Sequence, residues 1–517
     1  MMIDCKLEIA EAKIERCFSE KCEKKTKKTR GTQSTWQKYR RLFSVVAFVS
    51  CIYGCESSTI TRAKHGLNAT GDGTCQLVVM LPFTDTRKGP PQNIAKNGVT
   101  RHGRGVWPDA ETLSKNSYAL MASAQLAANH FNEKDSSVVP ELAGHNFQTC
   151  SVRFSDIIFL DTSHREKIAA NNFIDLLLNN TSICAVVGPE TPKAIDGLGI
   201  LADSIGVPVI DYGSMDNRFS QKDEFPALVR IFPDMRIFAE AMAEYLGNTM
   251  LNRKYVSIIS DHSDYSTQFE SFIRPLEGAL GLNLITANVL ENSIKSIDNA
   301  ISVIVKGGHN TIVLVTEQPA LLEHIARMAD EKGLIGENYF WVIAGRSLPR
   351  AYLERLRAAP NSPIDRMLKG SAVFRIIDPF MYQRDMDRFL INWMAQDSSL
   401  VSQLNSLHPL KGNNPFQVDY FVGTDNYFQM NDPAPLSSYI YDSVILTGIS
   451  ACELLMSEEK IPAKLEITVN EILGTRFLGA SGNVSFEEGN NGRSPGGLSA
   501  YGVYNIRHGD IVNGLRG

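Results

Sequence analysis

The chain has 517 residues, 43% of them hydrophobic and 21% charged, which is the composition of an ordinary globular protein and not of a disordered or collagen-like one. Its net charge is −5, yet residues 1–41 carry twelve Lys or Arg against six Asp or Glu, so the remainder is more acidic than the total implies. An acidic body argues against nucleic-acid binding, which needs a basic face to neutralise phosphates.

From Lys24 to Arg41 the only charges are basic, and "LFSVVAFVSCIYG" (42–54) is an uncharged apolar run. It is too short to span a bilayer, which takes about 20 apolar residues, and it fits the apolar region of a secretory signal. Residues 1–58 are therefore expected to be a basic leader, cleaved near Gly54–Ser58 or kept as an anchor. A start codon placed too far upstream, or lipidation at Cys51 or Cys55, are the alternatives.

Residues 75–83, "CQLVVMLPF", open the body as a buried strand. A basic Gly- and Pro-rich loop follows to Trp107, then a helix marked by Leu120, Ala124, Ala127 and Phe131, then the strand "SVRFSDIIFLDT". After a helix through Ile174 and Leu177, Cys184–Val187 and Val207–Ile210 are short runs too continuous to alternate, as strands buried on both faces are. Ala194, Leu198, Leu201 and Ile205 give one apolar stripe on a crossover helix between them. In such a βαβ unit, ligands bind outside the carboxyl ends of the strands, which puts Gly188–Lys193 at a binding position.

The same alternation restarts near residue 255 with "YVSIISDHSDYS", a helix from Gln268, "LNLITANVL", "TIVLVTEQPA" and "YFWVIAGRS". Two such runs predict two α/β lobes. Beyond Gly370, "SAVFRIIDP" reads as a strand, Met381–Met394 as a helix, 398–434 as a polar Asn-rich stretch, and 437–456 as a long helix. A Gly-rich crossing, "FLGASGNVSFEEGNNGR", ends in a short strand.

Of nine cysteines, Cys75, Cys150, Cys184 and Cys452 lie in the body; four allow three pairings. Cys150 with Cys184, which flank neighbouring strand segments, is the expected pair, while spacing leaves the other pairings and free buried thiols open. N-x-[ST] triplets at Asn68, Asn179, Asn180 and Asn483 are glycan acceptors if the chain is exported from a eukaryotic cell.

Signatures of catalysis are missing from the sequence. No Gly-x-Gly-x-x-Gly follows a strand, and there is neither a Walker loop nor a Gly-x-Ser-x-Gly turn. His130 with Glu133 falls short of the three protein ligands zinc requires. Asp261, His262 and Asp264 share a loop, but no nucleophile accompanies them. No metal, cofactor or enzymatic activity is expected.

The ordered set "VVGPETPKA", "VPVIDYGSMDNRFSQKDEFPALVRIFPD", "YIYDSVILTGISA" and "FLGASGNVSFEEGNNGR" resembles the ligand-binding region of type I periplasmic-binding-protein-like receptors. That family includes branched-chain amino-acid binding proteins and the ectodomains of natriuretic-peptide receptors and class C G-protein-coupled receptors. The resemblance covers about residues 75–510.

It implies an α/β fold of two Rossmann-like lobes joined by three hinge strands, closing like a clamshell on a ligand. Lobe 1 would comprise residues 75–232 and 350–478, and lobe 2 residues 233–349 and 479–517. Crossings would fall near Phe232–Asp234, Gly345–Pro349 and Leu478–Gly482. Glu190 and Thr191 would face the cleft, with Ser214 as a second small hydroxyl and Tyr265 covering the ligand. Tyr212, Asp261, Glu317 and Arg346 are further candidates because each follows a predicted strand end. Met215 stands where glutamate receptors place a threonine, and Pro192-Lys193 replaces a run of serines, so a glutamate-like ligand is not expected.

The expected function is the extracellular sensor of a membrane receptor for a small molecule, an amino-acid-like one among the options, or a peptide. The alternatives are a transporter's solute-binding protein and a two-domain enzyme. Relatives often dimerise through first-lobe helices, and the apolar face of the helix near Ala119 is the candidate surface for a homodimer.

Overall fold

The computed structural model describes residues 74–84, 110–155, 157–178, 183–249, 253–261, 263–290, 293–316, 319–344, 361–376, 378–381, 387–411, 420–457, 467–486, 489–494, 501–506 and 511–513. The leader, the loop 85–109, Asn68, Asn179, Asn180, Glu317 and Arg346 lie outside the described residues. His65–Gly517 forms one compact unit, built as a mixed α/β fold around two largely parallel sheets.

The first lobe contains strands β1 (Thr74–Cys75), β2 (Leu77–Leu81), β3 (Arg153–Phe154), β4 (Ile158–Asp161), β5 (Ala185–Val187), β6 (Val209–Asp211) and β7 (Leu228–Arg230). β1 pairs only with β3; the other five are parallel in the order β4-β2-β5-β6-β7. Every residue of β2, β5, β6 and β7 is buried, because helices cover both faces. The crossover helix Pro192–Ile205 has proline at its start and Gly206 just past its end at φ 74°, the asymmetry that starts and stops a helix cleanly.

The second sheet contains β8 (Tyr255–Ser260), β9 (Asn283–Asn288), β10 (Thr311–Val315), β11 (Phe340–Ala344) and β12 (Ala372–Ile376). A hairpin, β13 (Phe477–Gly479) and β14 (Gly482–Val484), stands apart. The last strands, β15 (Tyr501–Ile506) and β16 (Ile511–Asn513), return to the second sheet and add to it antiparallel through β12, giving the order β16-β15-β12-β11-β10-β8-β9.

Strand membership shows where the chain changes sheets, and two expected crossings move. β12 falls inside the stretch 350–478 expected in lobe 1, yet it pairs in parallel with β11, so the chain returns to the first lobe only after Ile376. The segment around Gly479 does not cross. It folds back as the β13–β14 hairpin, where the Leu478 N–H donates to Glu141 of the first lobe at 2.7 Å. Residues 491–493 then run beside β7, the Arg230 N–H donating to the Asn491 carbonyl and the Arg493 N–H to the Arg230 carbonyl. The chain leaves for β15 only after Arg493.

Three local expectations also change. Helix Asp264–Ile273 begins before Gln268, with Ser263 as its cap. Among the described residues of 381–394, the α-helix covers only Arg388–Met394, and Met381 ends a 3₁₀ turn from Pro379. The polar stretch 398–434 contains the helix Ser398–Leu407, capped by Asp397 and burying Leu400, Val401 and Leu404; three apolar residues at helical spacing suffice.

The cysteines pair as Cys75–Cys184 and Cys150–Cys452, with Cα separations of 5.6 and 5.8 Å, and not as Cys150–Cys184. The β2–β5 register brings Leu77 opposite Ala185, which sets the preceding Cys75 and Cys184 side by side. Cys452 reaches Cys150 from the long helix Ser437–Ser457. That helix packs on Ala110–Glu133 so closely that a Cβ on Gly448 would sit 2.6 Å from the Phe131 ring. Ala119, Leu120, Ala124 and Phe131 are consequently buried in the first lobe, so the face proposed for dimerisation is internal core.

Candidate functional site

The carboxyl ends of the first sheet converge on a group of loops. After β4, Asp161 accepts from the Ser163 N–H at 2.9 Å and from the Ser163 and Thr84 hydroxyls at 2.8 and 2.5 Å. Ser163 and His164 both have left-handed backbones, φ 48° and 52°, a conformation non-glycine residues hold only where surrounding contacts enforce it. This turn aims His164 at the next loop, where its Nδ1 lies 3.6 Å from Glu190 Oε1.

After β5 the chain turns through a cis Gly188-Pro189 peptide. Gly188, at φ 92°, admits no other residue: a Cβ there would lie 2.6 Å from the Met80 carbonyl oxygen and 3.0 Å from the Tyr212 ring. Glu190 then packs against Gly213 of the following loop, where an added Cβ would come within 3.2 Å of the Glu190 Cβ. Thr191 opens helix Pro192–Ile205 without capping it, and its hydroxyl is buried with no hydrogen-bond partner among the described residues. Pro192 brings no N–H, and the Ala194 and Ile195 N–H groups donate to the Thr191 carbonyl at 3.0 Å, so this helix start offers the Lys193 N–H beside the hydroxyl.

The loop after β6 carries three candidates, and all are buried. The Tyr212 ring is core beneath Gly188, its hydroxyl 3.5 Å from the Met80 carbonyl. The Ser214 N–H donates to Asp211 at 2.8 Å, while its hydroxyl accepts from the Asp216 N–H at 3.1 Å. The Met215 carbonyl accepts from the Met235 N–H at 3.0 Å, tying this loop to helix Met235–Glu244.

From the second sheet, Asp261 follows β8 and is buried. It accepts from the Ser263 N–H and hydroxyl, and from the Thr316 hydroxyl at 2.8 Å, linking the loops after β8 and β10. Tyr265 is buried on helix Asp264–Ile273, its ring 6.4 Å from Phe238. Three residues further along that helix, Gln268 hydrogen-bonds Asp216 and Asn217 of the first lobe. The helix carrying Tyr265 is thereby joined to the loop carrying Ser214.

The electrostatics of this junction are set by carboxylates. Burial pushes Asp216 up, but hydrogen bonds from Arg218 and Gln268 outweigh it and hold the carboxyl below its ordinary range. Burial wins at Asp196, whose carboxyl is raised despite Arg218 nearby. Arg230, almost wholly buried where β7 ends, donates to the Asp216 carbonyl at 2.9 Å and to Asp234 at 3.3 Å. Asp234 in turn caps helix Met235–Glu244 through the Ile237 N–H at 2.9 Å. Among the described residues no group of His, Cys, Asp and Glu has the arrangement of a metal site.

Strand ends pointed to Glu190, Thr191, Tyr212 and Asp261, and the family resemblance to Ser214, Met215 and Tyr265. Neither marked His164, Asp216 or Gln268. His164 also follows a strand end and could have been found by the same rule. Gln268 could not, since its role depends on a contact between lobes.

Two lobes with parallel sheets, strand-end loops facing a junction and cysteines paired across the body define a ligand-binding receptor fold. The chain belongs to the receptor family ligand binding region, whose family model matches residues 120–496. It is similar to taste receptor type 1 member 3 of Felis catus, 25% identical over 189 residues, or 35% of this chain and 21% of that protein. The protein of that name in Homo sapiens is 25% identical over 191 residues, or 36% of this chain and 22% of that protein. The match thus spans about a fifth of each relative's length.

Proposed function

We propose that this chain is the sensing region of a membrane receptor, displayed on the extracellular side, whose lobes close on a small ligand. The observation that carries this is the uncapped start of helix Pro192–Ile205 with the unpartnered Thr191 hydroxyl, set between the His164–Glu190 pair and the loop that Gln268 ties to the second lobe. A backbone N–H at such a helix start favours a carboxylate, and Glu190 supplies a negative charge for an ammonium. An amino-acid-like ligand fits both.

In this reading Thr191 and Glu190 are first-lobe contacts and Tyr265 covers the ligand, with Glu317 and Arg346 kept as further candidate contacts. Tyr212, Ser214, Met215 and Asp261 shape the loops from beneath. The two disulfides fit export, since such bonds persist in oxidising compartments, and exposed Asn483 is a glycan acceptor on that route. We place lobe 1 at residues 74–234 and 378–494, and lobe 2 at 235–376 and 501–513.

Thermal unfolding of the secreted protein against amino acids, small carboxylates and peptides tests the proposal. A ligand at about a hundred times its Kd stabilises the native state by roughly 2.7 kcal/mol. Thr191→Ala is expected to abolish that shift while leaving the ligand-free melting temperature within about a degree or two of wild type, as for a change away from core packing. No stabilisation by any member of the panel would count against a small-molecule sensor.

A further inference from the structure

The carboxamide of Gln268 uses both of its ends across the lobes. Its Nε2 donates to Asp216 Oδ1 at 2.9 Å, and its Oε1 accepts from the Asn217 N–H at 3.0 Å. The receiving side is rigid. Asp216 is buried and accepts from the Arg218 backbone N–H at 3.0 Å, from its Nε at 2.9 Å and from its Nη2 at 2.6 Å. The Asp216 carbonyl is held by buried Arg230, and the neighbouring Met215 carbonyl by the start of helix Met235–Glu244.

A repulsive element lies on the same seam. Asp264, the first residue of the Gln268 helix, acts on Asp196 of the first lobe as a like charge, and Arg218 lies 3.4 Å from Asp196 on the other side. Against this repulsion the Gln268 amide supplies attraction between the lobes, beside the bond from the Met235 N–H to the Met215 carbonyl. Gln268 is half-buried and lies three residues from Tyr265, so whatever holds it also holds the tyrosine near the first-lobe loops.

We propose that Gln268 is an interlobe latch, whose paired hydrogen bonds to residues 216 and 217 hold the lobes together at this corner before ligand arrives. The ligand then completes a closure already begun, and the latch sets what fraction of molecules is competent to bind. Apparent affinity scales with that fraction. The inference rests on the clamshell reading, and its test separates the two.

The test uses the full chain, ligand-free, with a dye pair introduced by non-cysteine chemistry at Leu178 in the first lobe and Ile294 in the second, both exposed. Single-molecule energy transfer gives the populations of long and short distances. Gln268→Glu sets a carboxylate against Asp216 and cannot donate to it; the closed-to-open ratio is expected to fall roughly tenfold, as for loss of a charge-assisted hydrogen bond. Gln268→Arg can pair with Asp216, and the ratio is expected to rise. Gln268→Ala, which removes both bonds and adds no charge, serves if the glutamate variant fails to fold, with a smaller fall expected. Two populations in unchanged ratio across all variants would overturn the latch and leave the clamshell standing. A single unchanging distance in every protein would overturn both.

Discussion

Gly479 shows how one missing side chain organises a corner of the first lobe. A Cβ at this position would overlap the Asp442 carboxylate, which accepts from the Ala480 N–H at 2.7 Å and from the Ser481 N–H at 2.8 Å. The Ser481 hydroxyl binds the same carboxylate and also accepts from Arg493 at 2.7 Å. The motif Gly-x-Ser-Gly is thus a socket for Asp442 of the long helix. Gly479→Ala is expected to destabilise the fold by about 1–3 kcal/mol, the range for overpacking a filled interior. In an Asp442→Ala background the added methyl has room, so chemical denaturation of the double mutant should show strong non-additivity. Additive costs would mean that the two residues do not share the site.

At the scale of elements, two buried carboxylates fasten the helix Ser437–Ser457. Asp442 binds the β13–β14 hairpin, and Asp378, just after β12, accepts from the Leu436 and Ser438 N–H groups at 3.0 and 3.3 Å at the helix start. Burial raises both carboxyls to about 6 from an ordinary 3.8, against the pull of their hydrogen bonds. The folded state therefore holds these protons more tightly than the unfolded chain does. Their contribution to stability is full below about pH 4 and is lost as pH rises to about 6. Buried His408, lowered to about 4, acts in the opposite sense, losing stability as pH falls from about 6.5 to 4, so the wild-type curve mixes the two. Comparison with Asp442→Asn isolates one carboxyl: the stability of the variant relative to wild type should rise between pH 4 and 6. A difference independent of pH would show that Asp442 does not titrate there. The same helix is long and apolar enough to cross a membrane, but here it is core, covered by Ala110–Glu133.

For the whole molecule, the disulfides join parts that the chain order keeps apart. Cys75–Cys184 closes 109 residues and Cys150–Cys452 closes 302, the second tying the long helix to the short helix His145–Gln148 region. Cross-links over such lengths restrict the unfolded chain strongly, and removing a native one commonly costs about 2–5 kcal/mol. Replacing Cys150 and Cys452 by alanine is expected to lower stability in that range and to reduce secretion. Denaturation with and without reductant checks it, since the variant should respond less to reductant than wild type. Equal loss in both proteins on reduction would place the stabilisation in Cys75–Cys184 alone.

The first sheet was legible in the chain because its signals are local. Continuous apolar runs at Leu77–Leu81, Cys184–Val187 and Val207–Ile210, the last two with a striped helix between them, specify parallel strands, and the strand-end rule then marked Glu190 and Thr191. The ordered motifs around Gly188, Arg230 and Gly479 were enough to mark the receptor family, since such glycines and buried charges tolerate few replacements. Sheet membership of Ala372–Ile376, the partner of each cysteine, the burial of Tyr212 and Met215, and the reach of Gln268 to Asp216 were settled only in three dimensions. Each depends on which distant segments become neighbours when the lobes pack, and a one-dimensional pattern carries no record of the chain's approach to itself.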